Sequence, residues 1–453
     1  MNRGLGQGAE RRGPFGRVRA VLARRSGASD LKVADVATPA PKGNEGVLTM
    51  SAVPQHHSSF GRSPGVTSAA TRSVPLRRRV LRGMARVVTG VVVGVIIFVA
   101  FSAVMRLQSV SLPEPTGPSA VGRTELALND TARVDPFASD GRTREIAVWI
   151  WYPAIDGASG ATADYLPSAW APLVHNMGPL SQDLTAVQTN SIANPTLDGR
   201  PPVVVLMPGH GEPVASYTTL AEDLASHGYA VVGINPTESA DVVFPDGHLV
   251  AASSLGAISG ATIDDWYASA GRVTNVWTAD AAFVVNSLKA DQPVIGELDF
   301  DHVAYVGHSV GGAASFEACR QDAQCAAAVN LDGTLWTEVR QTGLEAPSLL
   351  LQAGPGDTCD GFCARAAEDF ATFSAASNAE RFAIAGSAHV NFSDAGLMWG
   401  PANAIALGSI DAHRMGAITR DLVLSFLDAH VRDMPEAGVS EAAARYPEVQ
   451  TVH

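Results

Sequence analysis

The longest uniform feature of the chain is an uncharged apolar run, VVTGVVVGVIIFVAFSAVM, at residues 87–105. At about 1.5 Å rise per residue, 19 residues nearly span a hydrocarbon layer of about 30 Å. Only Thr89, Ser102 and two glycines interrupt it, so it lacks the polar face of a core helix. Beyond it the pattern changes to short apolar runs alternating with helix-spaced stretches. EIAVWIWYP (residues 145–153) alternates as a strand does, and PPVVVLMPG (201–209) is a continuous β-branched run suited to burial on both faces. LAEDLASHG (220–228) has helical spacing and stops at a glycine, and YAVVGIN (229–235) reads as the next strand. A helix over 280–290 precedes a strand in HVAYVGH (302–308); the small-residue run GGAASFEAC follows it. Further strands are expected at 326–332, 347–354 and 381–386, with a last helix around 415–430.

Strands alternating with helices imply a mostly parallel sheet covered on both faces, an α/β fold. One domain over 121–432 accommodates them, with 106–120 as a Pro/Ser linker before it and 433–453 as a C-terminal tail. Residues 157–198 and 239–263 fit neither period and are expected as loop or cap insertions over the strand ends, where such sheets bind ligands.

Charge divides the chain differently. Residues 1–86 carry 16 Lys and Arg against 4 Asp and Glu, a balance of +12, while the remainder sums to −25. The basic segment is rich in Arg, Gly, Ser and Pro without apolar period, so it is expected to be a disordered tail rather than a nucleic-acid arm. Arg77, Arg78, Arg79, Arg82 and Arg86 lie before the apolar run and only Arg106 just after it. That asymmetry predicts a single-pass signal anchor with the N-terminus cytoplasmic and the acidic bulk outside. Secretion after signal cleavage, with translation starting at Met84, is the alternative. All four cysteines (Cys319, Cys325, Cys359 and Cys363) follow the apolar run. Two disulfides fit an exported domain, most simply Cys319 with Cys325 and Cys359 with Cys363. Their spacing is poor for zinc, and no metal or other cofactor is implied.

Candidate chemistry centres on VGHSVGG, residues 306–312. Ser309 falls on a strand-to-helix turn, and Gly307 and Gly311 remove side chains that such a turn would bring into collision. The following helix aims its free amides at the same place, an arrangement for holding an oxyanion. A serine needs a base, and the base an orienting acid. His389, in GSAHVNFSD after the last strand-like run, is the expected base; His413 is the rival. Asp332 ends one strand and Asp357 the next, and local physics does not separate them as the acid. MPGHGEP (207–213) follows a buried strand, so the backbone N–H of His210 is expected to join that of Val310 as oxyanion donor. Trp170, Trp266, Trp277, Trp336 and Trp399 lie in or near the strand-end loops, where either an acyl pocket or ordinary packing accounts for them.

Over residues 145–394 the chain resembles the platelet-activating-factor acetylhydrolase type II family and, more loosely, bacterial lipases and cutinases of the α/β-hydrolase fold. GHSVGGAA, DLASHGYAVVGIN, NLDG and GSAHVNFSD carry the resemblance. It implies Ser309 as nucleophile, His389 as base and Asp332 as acid, with His210 at the donor position; a cutinase relationship would move the acid to Asp357. The family's donor loop usually reads S-H-G or P-G-F, and here it reads PGHG. The resemblance implies a serine carboxylic-ester hydrolase without metal, acting on short-acyl phospholipid or other lipid or small esters, like a 1-alkyl-2-acetylglycerophosphocholine esterase. A polyester hydrolase, peptidase or amidase on the same fold, and a non-catalytic membrane-tethered binding protein, are the alternatives.

Overall fold

The computed structural model describes residues 76–452 apart from 171–172, 174–179, 292–295, 355–360 and 435–437. Helix α1 (Leu76–Leu107) contains the apolar run and starts a few turns before it. From Val80 to Leu107 it is long and apolar enough to cross a membrane, and almost none of it is buried.

Strands β1 (Val121–Val134) and β2 (Thr143–Pro153) pair antiparallel, and β3 (Ile192–Ala193) adds to β1. Then come β4 (Pro202–Met207), α2 (Thr218–Ser226), β5 (Ala230–Ile234) and a small hairpin, β6 (Val242–Val243) with β7 (Leu249–Val250). Helix α3 (Ile263–Ala290) leads to β8 (Asp299–His308), α4 (Val310–Gln321) and β9 (Cys325–Leu331). The short α5 (Val339–Thr342), β10 (Ser348–Ala353), α6 (Gly361–Ala375) and β11 (Ala379–Ile384) follow. The short α7 (Asn403–Ala406), α8 (Ala412–Val431), α9 (Val439–Ala443) and β12 (Val449–Thr451) complete the chain.

The large sheet runs β12-β11-β10-β9-β8-β4-β5-β2-β1-β3. From β11 across to β5 every neighbouring pair is parallel, while β2 and β12 run antiparallel to their neighbours. Side chains alternate across each strand, so successive residues of β4 serve two cores. Val204 and Leu206 pack with α2 and α8 on one face, including Leu224, Leu422 and Phe426. Val203, Val205 and Met207 pack with α3, α4 and α6 on the other, including Trp277, Val284, Phe316 and Phe373. The expected α/β architecture with helices on both faces is the one observed. β8 lies in the middle, so its C-terminal end opens at the centre of the sheet edge.

Several expectations need correction. Helix α3 begins at Ile263, well before residue 280, because Thr262 and Asp265 form a reciprocal capping box. The stretch expected as a Pro/Ser linker, residues 106–120, is docked: Leu112 N–H donates to Gln188 O, Thr116 N–H and Oγ1–H to Asp223, and Gly117 N–H to Ser226 Oγ. The stretch expected as a C-terminal tail holds α9 and β12. β12 covers the open edge of β11, pairing Phe382 with Thr451 and Ile384 with Val449, while Val439 and Ala442 are buried. Cys319 and Cys325 form a disulfide between the end of α4 and the start of β9. The expected partnership of Cys359 with Cys363 lies outside the described residues, as does Asp357.

Candidate active site

Ser309 sits between β8 and α4 with φ 57° and ψ −120°. Such a backbone is strained for any residue with a Cβ, and it persists only where packing enforces it. Here the crossing of strand and helix enforces it. A Cβ on Gly307 would stand 2.2 Å from Gly311 O, and one on Gly311 would stand 2.2 Å from Met207 O. The glycines of the motif are therefore set by backbone contact. As the first residue of α4, Val310 has an N–H without an acceptor inside the helix.

His389 opens a short turn after β11 and Asp332 follows β9 at φ 55°. His389 Nε2 lies 2.9 Å from Ser309 Oγ, and His389 Nδ1 lies 2.7 Å from Asp332 Oδ2. The structure thus brings these three together from positions 80 and 57 residues apart. The aspartate is itself fixed: its other oxygen accepts from Ala353 N–H at 2.9 Å, and its own N–H donates to Leu351 O at 2.7 Å. A nucleophile, a base with one nitrogen facing it, and a carboxylate on the other nitrogen is an arrangement for acyl transfer. His413 lies on the first turn of α8 and has no place in this chain of contacts.

The loop after β4 approaches the same point. Gly209 N–H donates to Tyr217 Oη at 2.9 Å, which removes it as an oxyanion donor and leaves the amide of His210 next in line. The His210 imidazole is turned away: it stacks on Trp277 and its Nε2 lies 3.0 Å from Gly256 O.

A cavity of about 350 Å³ adjoins the site, lined by Tyr165, Trp170, Leu184, Glu212, Val390 and Met398 among others. Of the five tryptophans singled out, Trp170 lines it. Trp277 supports His210, Trp266 and Trp336 pair edge to face, and Trp399 contacts Phe101 of α1.

Four groups escaped the sequence reading: His308, Tyr217 and Asp394 are buried and Glu212 is partly buried. His308, beside the serine, has Nδ1 2.6 Å from Tyr217 Oη and Nε2 3.0 Å from His389 O. Tyr217 Oη also lies 2.9 Å from Glu212 Oε2. Burial holds His308 well below the usual histidine range, with the nearby His389 adding to the effect. Burial likewise raises the Glu212 carboxyl, opposed by Tyr217 and His389. The fourth, Asp394, accepts from Thr219 N–H at the start of α2, and burial pushes its carboxyl up to about 7. The adjacency of His308 to Ser309 was the one available signal; Glu212 and Tyr217 had none.

The chain is similar to proteins described as esterases. Residues 269–437 match the family described as platelet-activating factor acetylhydrolase, isoform II. A protein of Arthroderma benhamiae (strain ATCC MYA-4681 / CBS 112371), described as a probable 1-alkyl-2-acetylglycerophosphocholine esterase, is 25% identical over 269 residues. That match covers 54% of this chain and 66% of the relative, so the chain spans just under two thirds of its length. Among solved structures, a ferulic acid esterase from Streptomyces cinnamoneus superposes with a TM-score of 0.66 at 28% identity. It covers 76% of this chain and 100% of that one.

Proposed function

We propose that this chain is an ester-hydrolysing α/β-hydrolase like platelet-activating factor acetylhydrolase isoform II, working through a Ser309–His389–Asp332 acyl-enzyme. Ser309 Oγ attacks the ester carbonyl while His389 Nε2 takes its proton. Asp332 holds the Nδ1–H tautomer and stabilises the imidazolium. The amides of His210 and Val310 hold the oxyanion, a contribution whose loss typically costs about 100- to 1,000-fold in rate. The alcohol leaves with the proton from His389. Water then repeats the sequence on the acyl-enzyme, releasing the acid and restoring Ser309. The observation that carries this reading is the unbroken contact chain, 2.9 Å from serine to histidine and 2.7 Å from histidine to aspartate.

The substrate in this reading is a short-acyl phospholipid or related lipid ester, its acyl part in the cavity beside Val390. α1 anchors the enzyme in a membrane with residues 1–86 cytoplasmic and the catalytic domain outside. The Cys319–Cys325 disulfide supports an oxidising compartment. A second reading, an esterase for bulky aromatic acids, is favoured by the ferulic acid esterase neighbour.

Labelling the full chain with a fluorophosphonate, followed by peptide mapping, tests the mechanism. A single adduct on Ser309, and loss of p-nitrophenyl acetate turnover in a folded Ser309→Ala variant, is the expected result. No adduct, or an active S309A, overturns it. A panel running from acetyl phospholipids to methyl ferulate separates the two substrate classes.

A further inference from the structure

Behind the triad, three titratable side chains form an unbroken series that the mechanism above does not use. Glu212 Oε2 lies 2.9 Å from Tyr217 Oη, Tyr217 Oη lies 2.6 Å from His308 Nδ1, and His308 Nε2 lies 3.0 Å from the carbonyl oxygen of His389. Gly209 N–H, one residue before the proposed oxyanion donor, also ends on Tyr217 Oη. The series therefore holds two parts of the machinery at once: the backbone of the base and the loop that carries His210.

Counting protons decides how it is wired. The His389 carbonyl only accepts, so His308 Nε2 carries a hydrogen. In a neutral imidazole Nδ1 is then a lone pair, and Tyr217 O–H must donate to it. The tyrosine has no second proton, so the contact to Glu212 needs a hydrogen on Glu212. The other arrangement with the same number of protons is an ion pair, Glu212 carboxylate with His308 imidazolium. His308 is buried, and two charges there cost more than the neutral pair. The directions in which burial moves Glu212 and His308 both favour the neutral pair.

We propose that Glu212 is a positioning residue held as a neutral carboxylic acid: it donates to Tyr217, Tyr217 donates to His308, and His308 donates to the His389 carbonyl. Removing the Glu212 proton leaves two hydrogens for three contacts, so one contact sets lone pair against lone pair. The base and the oxyanion loop then lose their common brace. The groups that face Glu212 are Tyr217, His308 and His389, with Tyr165, Asp394 and Asp241 beyond them around the cavity. His389 works against the neutral acid, and burial works for it. Turnover therefore falls as pH rises through the raised carboxyl titration.

The proposal rests on the Ser309–His389 reading, so fluorophosphonate labelling of Ser309 in the full chain comes first; an unlabelled Ser309 defeats that reading, separately from this one. With labelling established, kcat and KM are measured from pH 5 to 9 for wild type, Glu212→Gln and Glu212→Leu. Leucine removes the donor and is expected to lower kcat about 30- to 100-fold with little change in KM, on the scale of a misplacement of about 1 Å. Glutamine supplies an N–H that does not titrate, so it is expected to recover most of that kcat and to lack the wild type's fall with rising pH. Identical pH profiles for wild type and E212Q would overturn the proposal, as would E212Q as impaired as E212L, or E212L as active as wild type. Nitrogen-15 NMR of the histidine-labelled wild-type chain gives a second check that needs no variant. His308 is expected neutral with its hydrogen on Nε2 at pH 6; an imidazolium there overturns it.

Discussion

Gly311→Ala is the perturbation whose consequence is best defined by the structure. Gly311 lies inside α4 with helical neighbours, so propensity alone favours alanine by about 1 kcal/mol. Packing says the opposite. The new Cβ would stand 2.2 Å from Met207 O and 2.4 Å from Pro208 O, where real Cβ atoms keep at least 3.0 Å. Both obstacles are backbone, at the end of β4 and the start of the loop bearing His210, and neither has a rotamer to escape into. The helix and the loop must therefore separate by at least about 0.8 Å. That displacement falls across the gap between the amides of Val310 and His210, the two proposed oxyanion donors. A shift of about 1 Å costs up to about 100-fold in rate, and overpacking of this kind costs about 1–3 kcal/mol in stability. The assay is kcat/KM on p-nitrophenyl acetate per fluorophosphonate-titrated site, with Tm measured on the same sample. Gly416→Ala is the control: it lies in α8 with nothing within 4 Å of its Cβ position. It is expected to stabilise by up to about 1 kcal/mol and leave turnover alone. A Gly311→Ala enzyme with more than a third of wild-type activity per site and an unchanged Tm would refute the reasoning.

Two other outcomes follow from the same geometry. Asp332→Asn is expected to lower kcat about 10,000-fold, because the amide favours the wrong histidine tautomer, while Asp357→Asn stays within about threefold; the reverse order in steady-state kinetics would reassign the acid. Asp394, held at about 7 against an ordinary 3.8, binds its proton more tightly in the folded state. Its contribution to stability is therefore full below about pH 4 and is lost as pH rises to about 7, by up to about 4 kcal/mol. Asp394→Asn should remove that decline in urea unfolding at pH 4, 5.5 and 7, and a decline of equal size in the variant would rule the assignment out.

The local code of this chain is strong where neighbours in sequence are neighbours in space. The apolar run of α1, the β-branched core of β4 and the glycines around Ser309 are each a matter of a few adjacent residues. Periodicity and sterics suffice to read them. The turn at Ser309 is in that class: Gly307 and Gly311 are needed because one strand and one helix, consecutive in the chain, pass within contact of each other. His389 was legible more weakly, through its place after a late strand.

What the sequence left open depends on distance. Asp332 and Asp357 each come after a strand-like run in a turn-like sequence, so nothing local distinguished them. β9 lies directly beside β8 in the sheet, so Asp332 emerges next to Ser309, where His389 Nδ1 reaches it at 2.7 Å. The docking of 111–117 and the edge strand β12 were hidden because both are polar stretches that gain order only from a partner far along the chain. The Glu212–Tyr217–His308 series is the extreme case. Its members are ordinary residues from a loop, a short turn and a strand end. Only the closing of β4 against β8 brings these three polar side chains together, two of them buried and Glu212 partly so, where each must find a hydrogen-bond partner and the number of protons becomes a structural fact.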